Sequence, residues 1–381
     1  MRILIIEPFN GGSHAAWAKG YQQHSSHCVE ILGLPGKNWK WRMLGAAVTL
    51  SRQYRELLAS GQKYDLILAS DMFDLAVFLG LISNLSGSRP PVALYFHENQ
   101  LTYPESSKEQ GRSTGRDRKF GLINFTSALA ADACFFNSVF HRQSFIDSLP
   151  AFLARSPDCQ DLDAVAEIEK KSEVLHLGLD LKRLAALKPS LKLRDSLDPN
   201  RPPLVLWNHR WEYDKNPAEF FALLQELIAS GVDFEVVILG EHYQPPPLLF
   251  LENQKLLGSR LLHFGYAESF ADYAAWLWQA DILPVTSNHD FFGASVVEAV
   301  YCNCYPLLPR RLAYPEHFPK CEDDRYFYCD FNDLCLKLKS LIERVRELRS
   351  GKIVSLVADY DWSVMAPQYD KKMVELFVNE F

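Results

Sequence analysis

Two cations in one segment and two carboxylates in another have the types and spacing to handle a phosphorylated sugar. Arg210 and Lys215 are separated by four residues in Asn208-His209-Arg210-Trp211-Glu212-Tyr213-Asp214-Lys215-Asn216-Pro217. Two cations across a turn, beside a helix start, suit a diphosphate, because charge-assisted hydrogen bonds neutralise its oxygens. In the second segment, Asp290 and Glu298 bracket Gly293 within Asp290-Phe291-Phe292-Gly293-Ala294-Ser295-Val296-Val297-Glu298. An apolar stretch at 281–285 has the composition of a buried strand, and 296–301 that of a helix. A strand, a small-residue turn and a helix N-terminus aim free N–H groups and a positive dipole end at one point, which attracts an anion. Carboxylates on either side can grip hydroxyl-rich parts of the same ligand. A phosphate flanked by sugars describes a sugar nucleotide. The competing reading of 208–217 is a solvated loop, but loops seldom carry this density of polar and aromatic groups.

Other polar clusters also follow strand-like runs. Gly11-Gly12-Ser13-His14 follows the first one, and Asp71 follows 64–69. His97-Glu98-Asn99-Gln100 follows 92–96, and Asn137-Ser138 follows 133–136. Four consecutive polar side chains at a strand end are costly to bury without partners. Asn, Ser and Asp are also common helix caps, which is the structural alternative for Asp71, Asn137 and Ser138. Gly240-Glu241 and His263-Phe264-Gly265-Tyr266 end further strands, where backbone groups could line a nucleotide-base pocket.

The elements that position these residues alternate between β and α. That pattern implies an α/β protein with parallel sheets covered on both faces. It runs once through residues 1–188 and restarts at 204–358. Residues 189–203, rich in Pro, Asp, Asn and charge, have the composition of a linker. Residues 359–381 are helix-like after Pro367 and are expected to pack back on the first domain. Two doubly wound Rossmann-like domains facing across a cleft would bind ligands at the carboxyl ends of their strands.

Composition agrees. The 381 residues exceed one ordinary core, and 48% hydrophobic content supports full globularity. No apolar run reaches the roughly 20 residues of a membrane span. The first residues have the pattern of a β-strand rather than a signal peptide. Eight cysteines lack C-x-x-C spacing. The nearest pair, Cys302 and Cys304, has no His cluster beside it, so reduced thiols in a cytoplasmic protein are expected and zinc is not. A net charge of −7 argues against broad nucleic-acid affinity while permitting a local basic patch.

The second half resembles the donor-binding half of retaining family 4 glycosyltransferases of the GT-B fold. The resemblance lies in the Arg210–Lys215 turn and in the Asp290-to-Glu298 segment. The family's usual first Glu is Asp290 here, a shorter side chain. More narrowly, Glu7 to His14, Phe96 to Pro104, Phe136 to Arg142, Trp207 to Pro217 and His289 to Gly293 are similar to motifs of the tRNA-queuosine α-mannosyltransferase family. The resemblance implies that Arg210 and Lys215 hold the pyrophosphate and that Glu298 holds the ribose. Asp290 and the backbone of Phe291, Phe292, Gly293 and Ala294 would hold the transferred sugar and phosphates. Asn208, Gly240, Gly265 and, from the first domain, Gly12 complete the implied donor site. His97 would contact the sugar. GDP-mannose is the implied donor, and the cyclopentene diol of queuosine at the tRNA wobble position the implied acceptor.

An RNA acceptor fits two segments. Residues 37–42, with Lys40 and Arg42, interleave cations with tryptophans, as do surfaces that track phosphates and stack bases. Residues 108–119, with Arg112, Arg116, Arg118 and Lys119, have the composition of a mobile basic loop. With Ser13, His14, Glu98, Asn99, Gln100, Asn137 and Ser138, they form the expected acceptor side. No D-x-D triplet ends a strand, so no metal or other cofactor is expected. Two rival readings are a GT-B enzyme with a lipid or polysaccharide acceptor and a noncatalytic protein that binds a sugar nucleotide or RNA.

Overall fold

Short runs of apolar residues that are buried on both faces can only be central strands of a covered parallel sheet. Leu66–Ser70, Val92–Phe96 and Leu204–Trp207 are such runs, with every residue buried. The computed structural model describes residues 1–85, 89–104, 116–189, 201–240, 246–318 and 324–379. It divides into two compact units, Met1–Leu179 with Tyr360–Phe381, and Asp180–Asp359.

In the first unit the strands are β1 (Arg2–Asn10), β2 (Cys28–Pro35), β3 (Leu66–Ser70), β4 (Val92–Phe96), β5 (Ala133–Phe136) and β6 (Ser172–Val174). They form a sheet in the order β2-β1-β3-β4-β5-β6. In the second unit they are β7 (Leu204–Trp207), β8 (Glu235–Leu239), β9 (Leu261–Gly265), β10 (Ile282–Pro284), β11 (Tyr305–Pro309) and β12 (Phe327–Tyr328). Their order is β12-β11-β10-β7-β8-β9. The strand pairings are parallel throughout both sheets. The strand order reverses between β1 and β3 in one sheet and between β7 and β10 in the other. A crevice opens at such a reversal, beyond the carboxyl ends of the strands.

The units divide at Leu179/Asp180 rather than at 188. The short helix Leu181–Ala186 belongs with the second unit. There the Leu184 carbonyl accepts a hydrogen bond from Trp278 Nε1 at 2.9 Å, and the Arg183 guanidinium lies 4.0 Å from the Phe270 ring centroid. Of the expected linker, 190–200 lies outside the described residues. The last helix, Trp362–Asn379, begins before Pro367 and contains it. The reason is a cap. The Asp361 carboxylate accepts from the Ser363 N–H at 2.9 Å and starts the helix five residues ahead of the proline. Trp362, Met365, Ala366, Tyr369 and Met373 are buried, and Tyr369 O–H accepts from Trp17 Nε1 at 3.2 Å. β6 covers only Ser172–Val174. The helix Trp39–Ala59 was not foreseen. No helix among the described residues is long and apolar enough to cross a membrane.

Candidate active site

The second unit's polar residues gather at its strand reversal. β7 ends at Trp207 and runs into 208–217, while β10 ends at Pro284 and runs into 285–293. Backbone hydrogen bonds join the two segments: the Asp214 carbonyl accepts from Asn288 N at 2.8 Å and His289 N at 3.2 Å. Thr286 Oγ1 donates to the carbonyls of Lys215 and Asn216, 3.0 Å each. Asn208 Nδ2 donates to the Ser295 carbonyl at 2.7 Å. Gly293, at φ +88°, caps the helix Ala294–Tyr301, and a Cβ there would press on the Tyr314 ring at 3.0 Å. Glycine is therefore required by both conformation and space. The first turn of that helix starts two residues earlier than periodicity suggests, so its open N–H groups lie directly behind the Phe291-Phe292 turn.

Lys215 is buried and fully engaged. Its Nζ donates to the His289 carbonyl at 2.8 Å and lies 3.2 Å from Asp214 Oδ2 and 3.3 Å from Asp290 Oδ2. Arg210 Nη2 lies 3.8 Å from the same Asp214 oxygen, but its side chain is 53% exposed. Two cations thus face two carboxylates in a balanced cluster, with Arg210 open to an incoming anion. Tyr314 O–H donates to Asp290 at 2.9 Å. Burial alone would raise the Asp290 carboxyl, but Lys215, His209 and the Tyr314 bond outweigh it and hold it below the ordinary range. Burial, reinforced by Lys215, lowers His209 and His289 to about 4, so both are neutral at pH 7. Ser295 Oγ pairs with His209 Nδ1 at 3.0 Å.

Glu298 has the opposite character. Burial raises it to about 7, against the hydrogen bond that Tyr273 O–H donates to it at 2.7 Å. The folded protein holds this proton more tightly than the unfolded chain does. The stability tied to it is full below the ordinary carboxylate range and is lost as pH rises through about 7. Glu298→Gln should therefore flatten the fall in thermal midpoint between about pH 5 and pH 8. Identical slopes in the two proteins would show that Glu298 titrates as a solvated carboxylate.

The first unit carries a second cluster at the ends of β1, β3 and β4. His14 Nδ1 lies 3.2 Å from the buried Glu7 carboxylate. Burial opposes a charge on His14, yet Glu7 carries it up to about 9. The His97 ring is 4.2 Å from that of His14, centroid to centroid. Burial, with His14 and His141 beside it, holds His97 well below its ordinary value. Asp71 accepts from the His97 N–H at 2.8 Å and is pushed by burial to about 8. Glu7, His14 and His97 offer ligand atoms within 4.8 Å of one another, enough to hold a metal ion. At neutral pH, however, His14 carries a proton toward Glu7, so the group is an imidazolium–carboxylate pair beside a neutral imidazole.

The structure sorts the sequence candidates. Lys215, Asp290, Asn208, Gly293 and Ala294 come together, with Arg210 joined to them through Asp214. Phe291 and Phe292 are buried beneath the turn. Gly240 follows β8 and Gly265 ends β9, and Glu241 lies outside the described residues. Gly12, at φ +54°, opens a helix of the other unit, Gly12–His24. Three acceptor-side candidates are buried. Asn99 is fully buried, and its Oδ1 accepts from Leu101 N and Thr102 N. Asn137 holds the His97 carbonyl and His141 Nδ1. Ser138 is buried and caps the helix Val139–Leu153 through His141 N. All three are buried and make these hydrogen bonds within the first unit. Glu98 and Gln100 are half-buried and bonded to each other at 2.9 Å, while Ser13 is exposed. Arg112 lies outside the described residues. Arg116, Arg118 and Lys119 open the helix Arg116–Ala130 rather than a loop, and Lys119 is exposed. Sequence reasoning missed Asp214, Glu7, Tyr273 and Tyr314. Asp214 was visible inside the Arg210–Lys215 run, but the others signal only through tertiary contacts.

Comparison with known proteins follows the same lines. A family model for the tRNA-queuosine alpha-mannosyltransferase N-terminal region matches residues 2–179. The Drosophila melanogaster tRNA-queuosine alpha-mannosyltransferase is 38% identical over 355 residues, covering 92% of this chain and 89% of that protein. The chain belongs to the tRNA-queuosine α-mannosyltransferase family. This family member is therefore a glycosyltransferase. Its fold is shared with sucrose-phosphate synthase from Thermosynechococcus elongatus, at TM-score 0.68, 14% identity and 100% of both chains. Anabaena HepE, solved in complex with UDP and glucose, matches at TM-score 0.65 and 14% identity over 98% of this chain and 100% of that one. At such identities the likeness shows the GT-B fold alone.

Proposed function

We propose that this enzyme transfers mannose from GDP-mannose to the cyclopentene diol of queuosine in tRNA, with retention at the anomeric carbon. Membership of the family supports the acceptor and the sugar. The observation that carries the chemistry is the Arg210–Asp214–Lys215–Asp290 cluster at the N-terminus of the helix Ala294–Tyr301. The donor diphosphate gains Arg210 and the open N–H groups of the helix, and Lys215 exchanges a carboxylate for a phosphate oxygen. Glu298, beside Tyr273, takes the ribose hydroxyls. Asp290 is bound to Lys215 and Tyr314, which makes it a poor nucleophile, so attack comes from the face the diphosphate leaves. The acceptor oxygen bonds to the anomeric carbon as the bond to phosphate breaks, and the acceptor proton passes to the departing phosphate. Cations and N–H dipoles already placed there stabilise that charge as it develops. In the first unit, His97 Nε2 has no hydrogen-bond partner among the described residues, which suits it to meet a hydroxyl of a substrate.

Incubating the protein with queuosine tRNA and a panel of sugar nucleotides, then weighing the nucleoside, tests this reading. One added hexose, dependent on GDP-mannose and undiminished by excess chelator, is the expected result. Donor hydrolysis without an RNA product would move the acceptor to another class. Loss of transfer in chelator would instead place a metal in the reaction, with Glu7, His14 and His97 as its first candidate site.

A further inference from the structure

An exposed tryptophan is an expensive surface residue, and Trp41 is 73% exposed. It opens the helix Trp39–Ala59, whose inner side buries Met43, Ala46, Ala47, Leu50 and Tyr54. On the outer side Trp41, Leu44, Val48, Arg52 and Arg55 recur at helical spacing and are all exposed. The apolar part spans barely two turns, and beyond it the face carries Arg52 and Arg55, with the exposed Glu56 beside them. Residues 37–55 contain five cations and no carboxylate, in a chain of net charge −7. Arg42 donates to the Pro35 carbonyl at 3.1 Å, and Arg55 to the Leu81 carbonyl and Asn84 Oδ1. These are neutral oxygens, so the guanidinium charges remain for a partner. Gly45 sits beside the stripe. Glycine inside a helix weakens it, yet a Cβ at Gly45 would meet nothing within 4 Å. Among the described residues nothing packs against that position, which leaves room for a closely approaching partner.

We propose that this outer face docks the tRNA away from the reacting nucleoside. Trp41 stacks on an unpaired base, Gly45 admits the adjoining ribose, and Arg52 and Arg55 hold phosphates. The proposal rests on the RNA acceptor put forward above. Stacking surfaces flanked by cations bind unpaired strands in this way. The apolar stripe matches a base or two better than the continuous apolar face that seats a helix in a membrane.

Direct binding of queuosine tRNA to the full chain, by gel shift, tests it whether or not transfer occurs. Trp41→Ala and Arg52→Glu should each weaken binding about 10-fold, the range of one lost stack or phosphate contact. Transfer to the free queuosine nucleoside by Arg52→Glu should stay within about two-fold of wild type, as only a phosphate contact is lost. Gly45→Ala should raise the thermal midpoint while weakening tRNA binding, a divergence that a purely structural glycine cannot produce. Unchanged tRNA affinity in Trp41→Ala and Arg52→Glu overturns the proposal. So does binding to phosphatidylserine vesicles that Trp41→Ala abolishes, which would assign the face to a membrane. Wild-type protein that binds the tRNA through this face but adds no hexose would refute the proposed reaction alone.

Discussion

Arg210→Ala is expected to lower mannosyl transfer about 100-fold, the loss of on the order of 3 kcal/mol of transition-state stabilisation, while leaving the fold intact. The two halves of that expectation have separate causes. The guanidinium is half exposed and lies 3.8 Å from Asp214, and an ion pair this long and this exposed contributes little to stability. For a leaving diphosphate it is the cation not already committed to two carboxylates. The loss should therefore appear in kcat/KM for the sugar nucleotide, with urea unfolding unchanged. Turnover close to wild type would remove Arg210 from the site and leave the helix N-terminus as the main anion contact.

Lys215→Met is expected to damage both fold and reaction. It removes the ammonium paired to both Asp214 and Asp290 in a poorly solvated site, leaving Asp214 with Arg210 at 3.8 Å. Removing one partner of a buried pair costs about 3–5 kcal/mol, because the remaining charge stays desolvated. Denaturant unfolding measures the loss directly. A second replacement, Asp290→Asn, should recover part of the stability by removing one stranded charge, but none of the transfer. Stability within about 1 kcal/mol of wild type in Lys215→Met would mean that water reaches the cluster and that its burial has been overstated.

Much of this site was legible beforehand, for reasons that are local. The apolar runs of β5, β7 and the helix Phe270–Gln279 carry their own period and propensity, so their positions follow from composition. Polar clusters at strand ends follow from topology, since parallel sheets present their carboxyl ends to ligands. Less was legible where one signal masks another. Residues 37–42 stood out as cations among tryptophans, which hid the 21-residue helix that carries them. Pro367 resembled a helix start until Asp361 supplied an earlier cap. Asn99, Asn137 and Ser138 have the same side chains whether they cap a turn or meet a ligand.

The sequence by itself determined that two α/β units form and that Arg210, Lys215, Asp290 and Glu298 lie where strands end. Only the tertiary structure decided what those groups can do. It stretched Lys215 between Asp214 and Asp290, left Arg210 open, and raised Glu298 while lowering Asp290. It also set Glu7, His14, Asp71 and His97 side by side from three separate stretches of chain. The physical reason is range. Period and propensity act over a few neighbouring residues, whereas desolvation and charge coupling depend on which distant residues packing brings within a few ångströms.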